Sequence, residues 1–357
     1  MNIDKVSLLR LKIPLKRPYK IATAEMKSFE CVVAVLRAGD REGLGEAMAD
    51  IQGYFWETPE EVWQFAREHG AKIAGKPLPQ AQQYIAGFAK SRPCAATPFL
   101  TALEVLSRSS ILTPPTERQF VPLVGTLQAT QKAEIKKEAQ ELIAGGYEVI
   151  KIKVGFQAEK DIIKVRMAQE AIQGKALIRL DANQGYTFPQ AQKLVQNIDP
   201  RGIEFLEQPF KENEWDPMVD LARISPVPLG LDESIYAAEA VEKVARLQCA
   251  RFVKFKMMKM GSGEALARGI EIARENGLKV ILGNGAAGEI SCYHEALVAS
   301  RMISQAGEMN GFLKQKESIL AKALEIQGGK IILEPEFSLK LDPEKIDRFA
   351  MERLSSG

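Results

Sequence analysis

Two hydrophobic rhythms divide this chain. Close to the N-terminus, Val6-Ser7-Leu8-Leu9-Arg10-Leu11-Lys12-Ile13 largely alternates apolar with polar, and Cys31-Val32-Val33-Ala34-Val35-Leu36-Arg37 is a β-rich run followed by a turn at Gly39-Asp40. Both read as strands, because successive side chains of a strand project to opposite faces. Helical segments follow from about Pro59 to Ser107, with a break at Pro77-Leu78-Pro79. These pieces predict a small α+β unit that ends near Thr113-Pro114-Pro115.

From Val121 the rhythm changes to short apolar runs separated by amphipathic helical patterns such as Ala158–Ile172 and Ser262–Asn276. The runs are Val121–Leu127, Glu148–Val154, Ala176–Ala182, Ile203–Glu207, Val227–Asp232, Arg251–Lys256, Leu278–Gly283 and a weakly patterned Met302–Glu308. Strand–helix alternation predicts parallel strands joined by right-handed crossovers. Seven or eight such units suit a closed barrel better than an open sheet. A last apolar run, Lys330-Ile331-Ile332-Leu333, cannot extend a closed barrel and is expected to return to the N-terminal unit. The expected organisation is an α/β chain with a cap over 1–118, a barrel over 119–322 and a returning segment over 323–357.

The length of 357 residues fits two domains, or one barrel with an addition. A hydrophobic fraction of 46% and a charged fraction of 26% are ordinary for a soluble globular protein. The formal net charge is +2 with both signs interspersed, which argues against nucleic acid or a membrane surface as partner. No apolar run is long enough to span a bilayer. The opening Met1-Asn2-Ile3-Asp4-Lys5 lacks a signal peptide's apolar region, so a cytoplasmic location is expected. Cys31, Cys94, Cys249 and Cys292 lie far apart and read as reduced thiols. His69 and His294 are the only histidines. A zinc hydrolase built on several histidines is thereby nearly excluded. No G-x-S-x-G or Cys-His signature is present either, and both histidines read as structural.

Five polar clusters end five successive predicted strands: Lys151-Ile152-Lys153, Asp181-Ala182-Asn183, Glu207-Gln208-Pro209, Asp232-Glu233-Ser234 and Lys254-Phe255-Lys256. Lys153, Asp181, Glu207, Asp232 and Lys256 follow one another at intervals of 28, 26, 25 and 24 residues. Each interval holds one strand, one helix and two loops. The clusters therefore recur in phase at the barrel face where such folds carry active sites. Three carboxylates at one mouth would repel, and burial would raise their pKa values. A hard divalent cation resolves this, and with no histidine or cysteine nearby Mg²⁺ (Mn²⁺ being admitted) is preferred over Zn²⁺. The plain alternative is that these acids are ion-paired to the barrel lysines.

Lys151 and Lys153 stand two apart on one strand and share a face, as do Lys254 and Lys256. Two close cations lower each other's pKa, which is how a lysine becomes a base near neutral pH. Lys256 comes from the opposite side of the barrel, so a small carboxylate-bearing substrate would lie between Lys153 and Lys256. A proton α to a carboxylate is very weakly acidic, and its removal leaves an enediolate. A divalent metal and an ammonium stabilise that charge where it develops.

Taken together, K-x-K, D-x-N, E-Q-P, D-E-S and K-x-x-K followed by M-G-S resemble the muconate-lactonizing subgroup of the enolase superfamily. The resemblance covers nearly the whole chain, and Arg17–Ala22 and Gly43–Ala47 look like that subgroup's capping domain. It implies a (β/α)₇β TIM-like barrel under an α+β capping domain built from both termini. By position it implies Asp181, Glu207 and Asp232 as Mg²⁺ ligands and Lys153 and Lys256 as the acid/base pair. Lys151 would support the substrate carboxylate and the base, with Asn183 and Glu233 standing behind the ligands. The mandelate-racemase branch is disfavoured, since no histidine ends the seventh strand. The enolase branch itself fits poorly with the K-x-K pattern.

The subgroup's shared parts do not name a substrate. It includes dipeptide epimerases, N-acylamino-acid racemases, o-succinylbenzoate synthases, muconate cycloisomerases and some hydroxyproline dehydratases. Dipeptide epimerases show Asp-x-Asp after the eighth strand for the substrate ammonium, where this chain reads Glu308-Met309-Asn310. Glu308 and Asn310 are thus the expected substrate contacts, with weakened recognition of a cation. Glu289 closes the small-residue run Gly283–Glu289, and whether it reaches the site is left open. Met48–Trp56 resembles the family's mobile specificity loop and is expected to cover the substrate. The leading expectation is an epimerase or racemase of a dipeptide or amino-acid derivative. A cycloisomerase or a dehydratase-type lyase using one lysine is the alternative. A catalytically silent metabolite-binding barrel is the alternative of another class. Barrels of this family often assemble symmetrically, so a homo-oligomer is admitted.

Overall fold

The computed structural model describes residues 1–20, 25–49 and 56–357. Most of the expected covering loop, residues 50–55, lies outside the described residues, as do residues 21 and 22 of the cap motif.

The cap begins with three antiparallel strands, β1 (Lys5–Lys20), β2 (Glu25–Ala38) and β3 (Arg41–Met48). Helices α1 (Pro59–Ile73), α2 (Leu78–Ala86) and α3 (Pro93–Leu106) follow. Both faces of β2 are covered, which is why its sequence is a continuous apolar run rather than an alternating one. Val32, Ala34 and Leu36 share a core with Trp63, Phe65, Phe99 and Leu103 of the helices. Cys31 and Val33 face the other way, onto Ala286, Ile290, Ile319 and Leu320. Helix α1 starts at a capping box in which Thr58 and Glu61 satisfy each other's backbone donors.

The run expected as one strand over Val121–Leu127 is two, β4 (Gln119–Pro122) and β5 (Val124–Leu127). The chain changes partner at Leu123, whose amide donates to Gly329 O at 2.9 Å. From β5 the barrel continues as α4 (Lys132–Ala144), β6 (Val149–Lys153), α5 (Ala158–Ile172), β7 (Leu177–Asp181), α6 (Phe188–Asn197), β8 (Ile203–Glu207) and α7 (Trp215–Ile224). It then adds β9 (Leu229–Leu231), α8 (Ala238–Leu247), β10 (Phe252–Phe255), α9 (Met257–Met260), α10 (Gly263–Glu275), β11 (Lys279–Leu282) and α11 (Glu289–Met302). Strands β5 to β11 form one parallel sheet in sequence order.

The expected eighth strand is shorter than its apolar pattern. Met302 still belongs to α11, and only residues near Gly307 bridge the two edges of the sheet. Val124 N donates to Gly307 O at 2.8 Å, Gly307 N to Pro122 O at 2.9 Å, and Glu308 N to Leu282 O at 2.9 Å. Those bonds close the ring and bring Glu308 to its mouth. Gly283 ends β11 at φ +121, where an added Cβ would lie 2.6 Å from Met309 N, so glycine permits this close passage.

The apolar run at Ile331 does not return to the cap, which corrects the expectation. Strands β12 (Ile326–Gln327) and β13 (Lys330–Leu333) pair with β4 beneath the N-terminal ends of the barrel strands, and Ile331 and Leu333 join the barrel core. The tail reaches the cap further on. After α12 (Pro343–Phe349), β14 (Ala350–Ser356) adds an antiparallel edge to β1, with Val6 opposite Ser356. Two buried acids of the cap also tie it to barrel helices. Glu104 accepts from the amides of Gly263 and Glu264 at 2.8 and 3.0 Å, and Glu46 from that of Ser291 at 2.9 Å. Both meet helix starts, where unpaired amides favour an anion.

The four cysteines are buried and free. Among the described residues no helix is long and apolar enough to cross a membrane.

Candidate active site

Strand alternation builds the barrel mouth in layers. β6 supplies Lys151 and Lys153, β7 supplies Arg179 and Asp181, and β10 with the residue after it supplies Lys254 and Lys256. In each pair the first member sits one step deeper.

The deep layer places three cations around Glu308. Lys151 Nζ lies 2.7 Å from its Oε1, Lys254 Nζ 2.7 Å from its Oε2, and Arg179 Nη1 3.5 Å from Oε1. Above them stand Asp181, Glu207 and Asp232. Lys151 Nζ is 2.7 Å from Asp181 Oδ2 and 3.2 Å from Glu207 Oε1; Lys254 Nζ is 3.0 Å from that same Glu207 oxygen and 3.4 Å from Asp232 Oδ2. At the rim, Lys153 Nζ is 2.6 Å from Asp181 Oδ2 and donates to Asn183 Oδ1. Lys256 Nζ is 2.8 Å from Asp232 Oδ2, and Lys259 Nζ is 2.9 Å from Asp232 Oδ1.

Lys151, Asp181, Glu207, Asp232, Lys254 and Lys256 are each at most 4% exposed. Charges so buried are tolerated only when paired and hydrogen-bonded, and the two lysines read as an acid/base pair are paired differently. Burial alone would lower the Lys153 pKa, but Asp181, with Tyr19 and Glu207, outweighs it and raises the ammonium above its ordinary value. Burial also acts on Lys256, and there the Lys259 ammonium adds to it; together they outweigh Glu308 and Glu295 and hold Lys256 below its ordinary value, against the pull of Asp232 Oδ2 at 2.8 Å. Glu207 is pushed up to about 7 by burial and by Asp181, and Glu233 to about 8 by burial and by Asp232. Asp181 and Glu308 go the other way. Burial opposes their charge, yet Lys151 with Lys153, and Lys151 with Lys254 and Arg179, hold them below the ordinary carboxylate range.

Short polar links fix these side chains. Asn183 adopts φ +39, a conformation asparagine tolerates. Its amide donates to Asp181 Oδ1 at 2.9 Å, and its Nδ2 to Glu233 Oε1 at 3.0 Å. Gln208 Oε1 accepts from the amides of Asp232 and Ser234 at 3.0 and 3.2 Å, which pins the end of β9. Asn310 turns aside from the acids: its Nδ2 donates to Val124 O at 2.9 Å, and its Oδ1 accepts from Lys314 Nζ at 3.3 Å. Glu289 stays outside the cluster. It accepts from Leu324 N at 2.8 Å and from the Ser318 hydroxyl.

The ten residues named from sequence are therefore gathered at one mouth, except that Asn310 lies at its side. Sequence reasoning gave no role to Lys254, Lys259, Tyr19 or Lys314. Alternation had already put Lys254 on the mouth face. Lys259 follows Lys256 by one short turn of α9. Nothing in the sequence marked Lys314, whose ammonium donates to Gly285 O at 2.7 Å and sits 4.8 Å from the centre of the Tyr19 ring.

Does this donor set fit a divalent metal? Three carboxylates at the ends of the adjacent strands β7, β8 and β9 are oxygen donors of the kind Mg²⁺ takes. Glu233 Oε2 is moreover a buried acceptor with no hydrogen-bond partner among the described residues. The residues fit by type and by placement. Their arrangement is another matter: among the described residues no three acidic, histidine or cysteine side chains stand ready around a common point. Ammonium groups lie between them, and the remaining space is about 30 Å³.

Residues 134–344 match the family described as Enolase C-terminal domain-like. The chain belongs to the enolase superfamily. It is 26% identical over 296 residues to the L-Lys-D/L-Arg epimerase of Methylococcus capsulatus, spanning 79% of this chain and 82% of that one. It is also 26% identical over 351 residues to muconate cycloisomerase 1 of Rhodococcus opacus, spanning 93% and 94%. The solved structure of a dipeptide epimerase from Cytophaga hutchinsonii, complexed with Mg and the dipeptide D-Ala-L-Val, superposes with a TM-score of 0.89 at 19% identity over the whole of both chains. That likeness shows the capped barrel fold. The protein is an isomerase of the superfamily's muconate-lactonizing subgroup. Divalent-metal use is typical of enolase-superfamily chemistry.

Proposed function

We propose that this protein is a racemase or epimerase that removes and returns the α-proton of an N-acylated amino acid, with Lys153 serving one face and Lys256 the other. One observation carries the reading. The two lysines come from β6 and β10, which are four places apart on a ring of seven strands and one bridging segment. They therefore face each other across the mouth, with Asp181, Glu207 and Asp232 between them.

Asp181, Glu207 and Asp232 are the residues that would hold Mg²⁺. When bound, the ion would supply positive charge beside the substrate carboxylate, which would make the α-proton more acidic. Lys256, with its lowered pKa, suits the role of base. Lys153, whose ammonium Asp181 favours, suits that of acid in the same direction, and the two exchange roles for the other enantiomer. Lys151 brings a further ammonium to the side where enediolate charge develops.

The preference for an acylated nitrogen rests on Glu308. Its two oxygens are already engaged by Lys151, Lys254 and Arg179, which leaves little capacity for a substrate ammonium. A cavity of about 350 Å³ adjoins the mouth through Tyr19 and is lined by Arg17, Gln128, Asn310 and Lys314. That lining suits an uncharged or anionic second end. The Methylococcus and Cytophaga relatives are named for dipeptides, so dipeptides are the second substrate class to test. Similarity over 93% of the chain to a muconate cycloisomerase favours a second reaction. In that reading one lysine performs the essential proton transfer.

The test is α-proton exchange in deuterated water with N-acetyl- and N-succinyl-amino acids and with dipeptides. Exchange with inversion on the acylated compounds supports the reading. Turnover of dipeptides alone, or of a diene acid alone, overturns it.

A further inference from the structure

Three cations share the deep layer of the barrel mouth with one acid. Lys151 and Arg179 already approach Glu308 Oε1 to 2.7 and 3.5 Å. Lys254 adds a third contact, 2.7 Å from Oε2, while its ammonium also reaches up to Glu207 Oε1 at 3.0 Å and Asp232 Oδ2 at 3.4 Å. Glu207 and Asp232 are two of the three acids read above as metal ligands. An ammonium there engages the same oxygens that a divalent ion would need, with half its charge, and two cations cannot share so small a space without strong repulsion.

We propose that Lys254 is a resident counter-cation of this carboxylate basin. It holds Glu207 and Asp232 together in the metal-free protein, and it must withdraw towards Glu308 before those two acids can take a divalent ion. The withdrawal needs no new partner, because Glu308 Oε2 is already the nearest oxygen to Lys254. Metal affinity is then set by a competition inside the protein as well as by the ligands themselves. The inference rests on the reading of Asp181, Glu207 and Asp232 as ligands, and its test separates the two.

The test uses the full chain with Mg²⁺ alone, without substrate. Calorimetric titration gives the Mg²⁺ affinity, and thermal unfolding in a chelator gives the stability of the metal-free form. In Lys254→Met the competitor is gone, so Mg²⁺ should bind at least about tenfold tighter. The melting temperature in chelator should fall below that of the unaltered chain, since Glu207 keeps Lys151 and Asp232 keeps Lys256 and Lys259, but the ammonium that bridges the two acids is lost. Lys254→Arg keeps the charge and should keep the weaker affinity. If Lys254→Met does not fold, Lys254→Gln serves, being neutral yet able to bond Glu308. Equal Mg²⁺ affinity in the unaltered chain and the neutral variant would overturn the proposal and leave the ligand assignment standing. Mg²⁺ binding to neither would overturn both. Tighter binding without a lower melting temperature in chelator would also overturn it, because a distant charge effect would do the same.

Discussion

The carboxylate of Glu46, on the last strand of the cap's N-terminal hairpins, accepts the amide of Ser291 at the head of barrel helix α11 at 2.9 Å. Burial is the larger influence on this acid, and it pushes the pKa up to about 7 from 4.5. A carboxyl raised in the folded state holds a proton there that the unfolded chain releases. Its contribution to stability is therefore complete below about pH 4.5, falls as the pH rises, and is lost above about 7. The whole span corresponds to about 3 kcal/mol. Denaturant midpoints measured between pH 5 and 8 should decline for the unaltered chain. They should decline less for Glu46→Gln, which stays neutral throughout. Parallel curves for the two proteins would refute the assignment.

A second prediction concerns how the cap is packed. Gly43 and Gly45 stand two apart on β3 and share the face that meets α3. A Cβ at Gly43 would lie 2.1 Å from Ala102 O, and one at Gly45 would lie 1.9 Å from Pro98 O. Both obstacles are backbone, so they yield only if the helix moves. Gly45→Ala should lower unfolding stability by about 1–3 kcal/mol or more, as overpacked cores do. Leu44 points to the opposite face, which is apolar and has its own core, so Leu44→Met should change stability much less. Equal effects of the two substitutions, read as melting temperatures, would mean that the close approach is not what selects glycine.

These glycines show what the sequence made legible and what it did not. Gly43–Ala47 matched a cap pattern, but nothing in the letters says that a helix backbone presses on two of them. The barrel was readable because its signals are local: a short apolar run, a helix and a polar residue at the strand end recur at near-constant spacing. Lys153 and Asp181 are register partners on neighbouring parallel strands, so the spacing of their clusters already implied their contact. The eighth segment was harder, since it closes the ring with a few backbone bonds around Gly307 and has almost no strand of its own. The run at Ile331 was misplaced because an apolar strand fits any uncovered sheet edge, and β4 offers one beneath the barrel. Glu308 was recognised as a mouth residue. Its saturation by Lys151, Lys254 and Arg179 depends on three separate strands and could not be read from any one of them.

The metal assignment makes a third prediction. Glu207→Gln keeps the shape of the side chain and removes a charge from the middle of the three acids. Turnover should fall by at least about a hundredfold, the scale on which a lost charge-stabilising group acts in an enzyme, while the circular dichroism spectrum stays unchanged. Chelation followed by dialysis should have the same effect on the unaltered protein, and added Mg²⁺ should restore it. Full activity after exhaustive chelation would sink the assignment of Asp181, Glu207 and Asp232 as ligands.

The two rim lysines decide the reaction class. For inversion at the α-carbon the proton must leave from one face and return on the other, and Lys153 and Lys256 stand on opposite sides of the mouth. A general acid or base typically contributes about 10²- to 10⁴-fold. Each enantiomer of the substrate presents its α-proton to only one of them. In deuterated water, Lys153→Ala should abolish α-proton exchange from one enantiomer and leave measurable exchange from the other. Lys256→Ala should show the reverse preference. Net racemisation should vanish in both, because a full turnover needs both transfers. A cycloisomerase behaves differently: one lysine carries the proton transfer, and the other acts only through its charge. Replacing that second lysine by arginine, which keeps the charge but is not deprotonated in proteins, should then preserve turnover. The same arginine variants of a two-base racemase should be as inactive as the alanine ones. Near-normal turnover in either arginine variant would remove the two-base mechanism and leave the one-base reaction in its place.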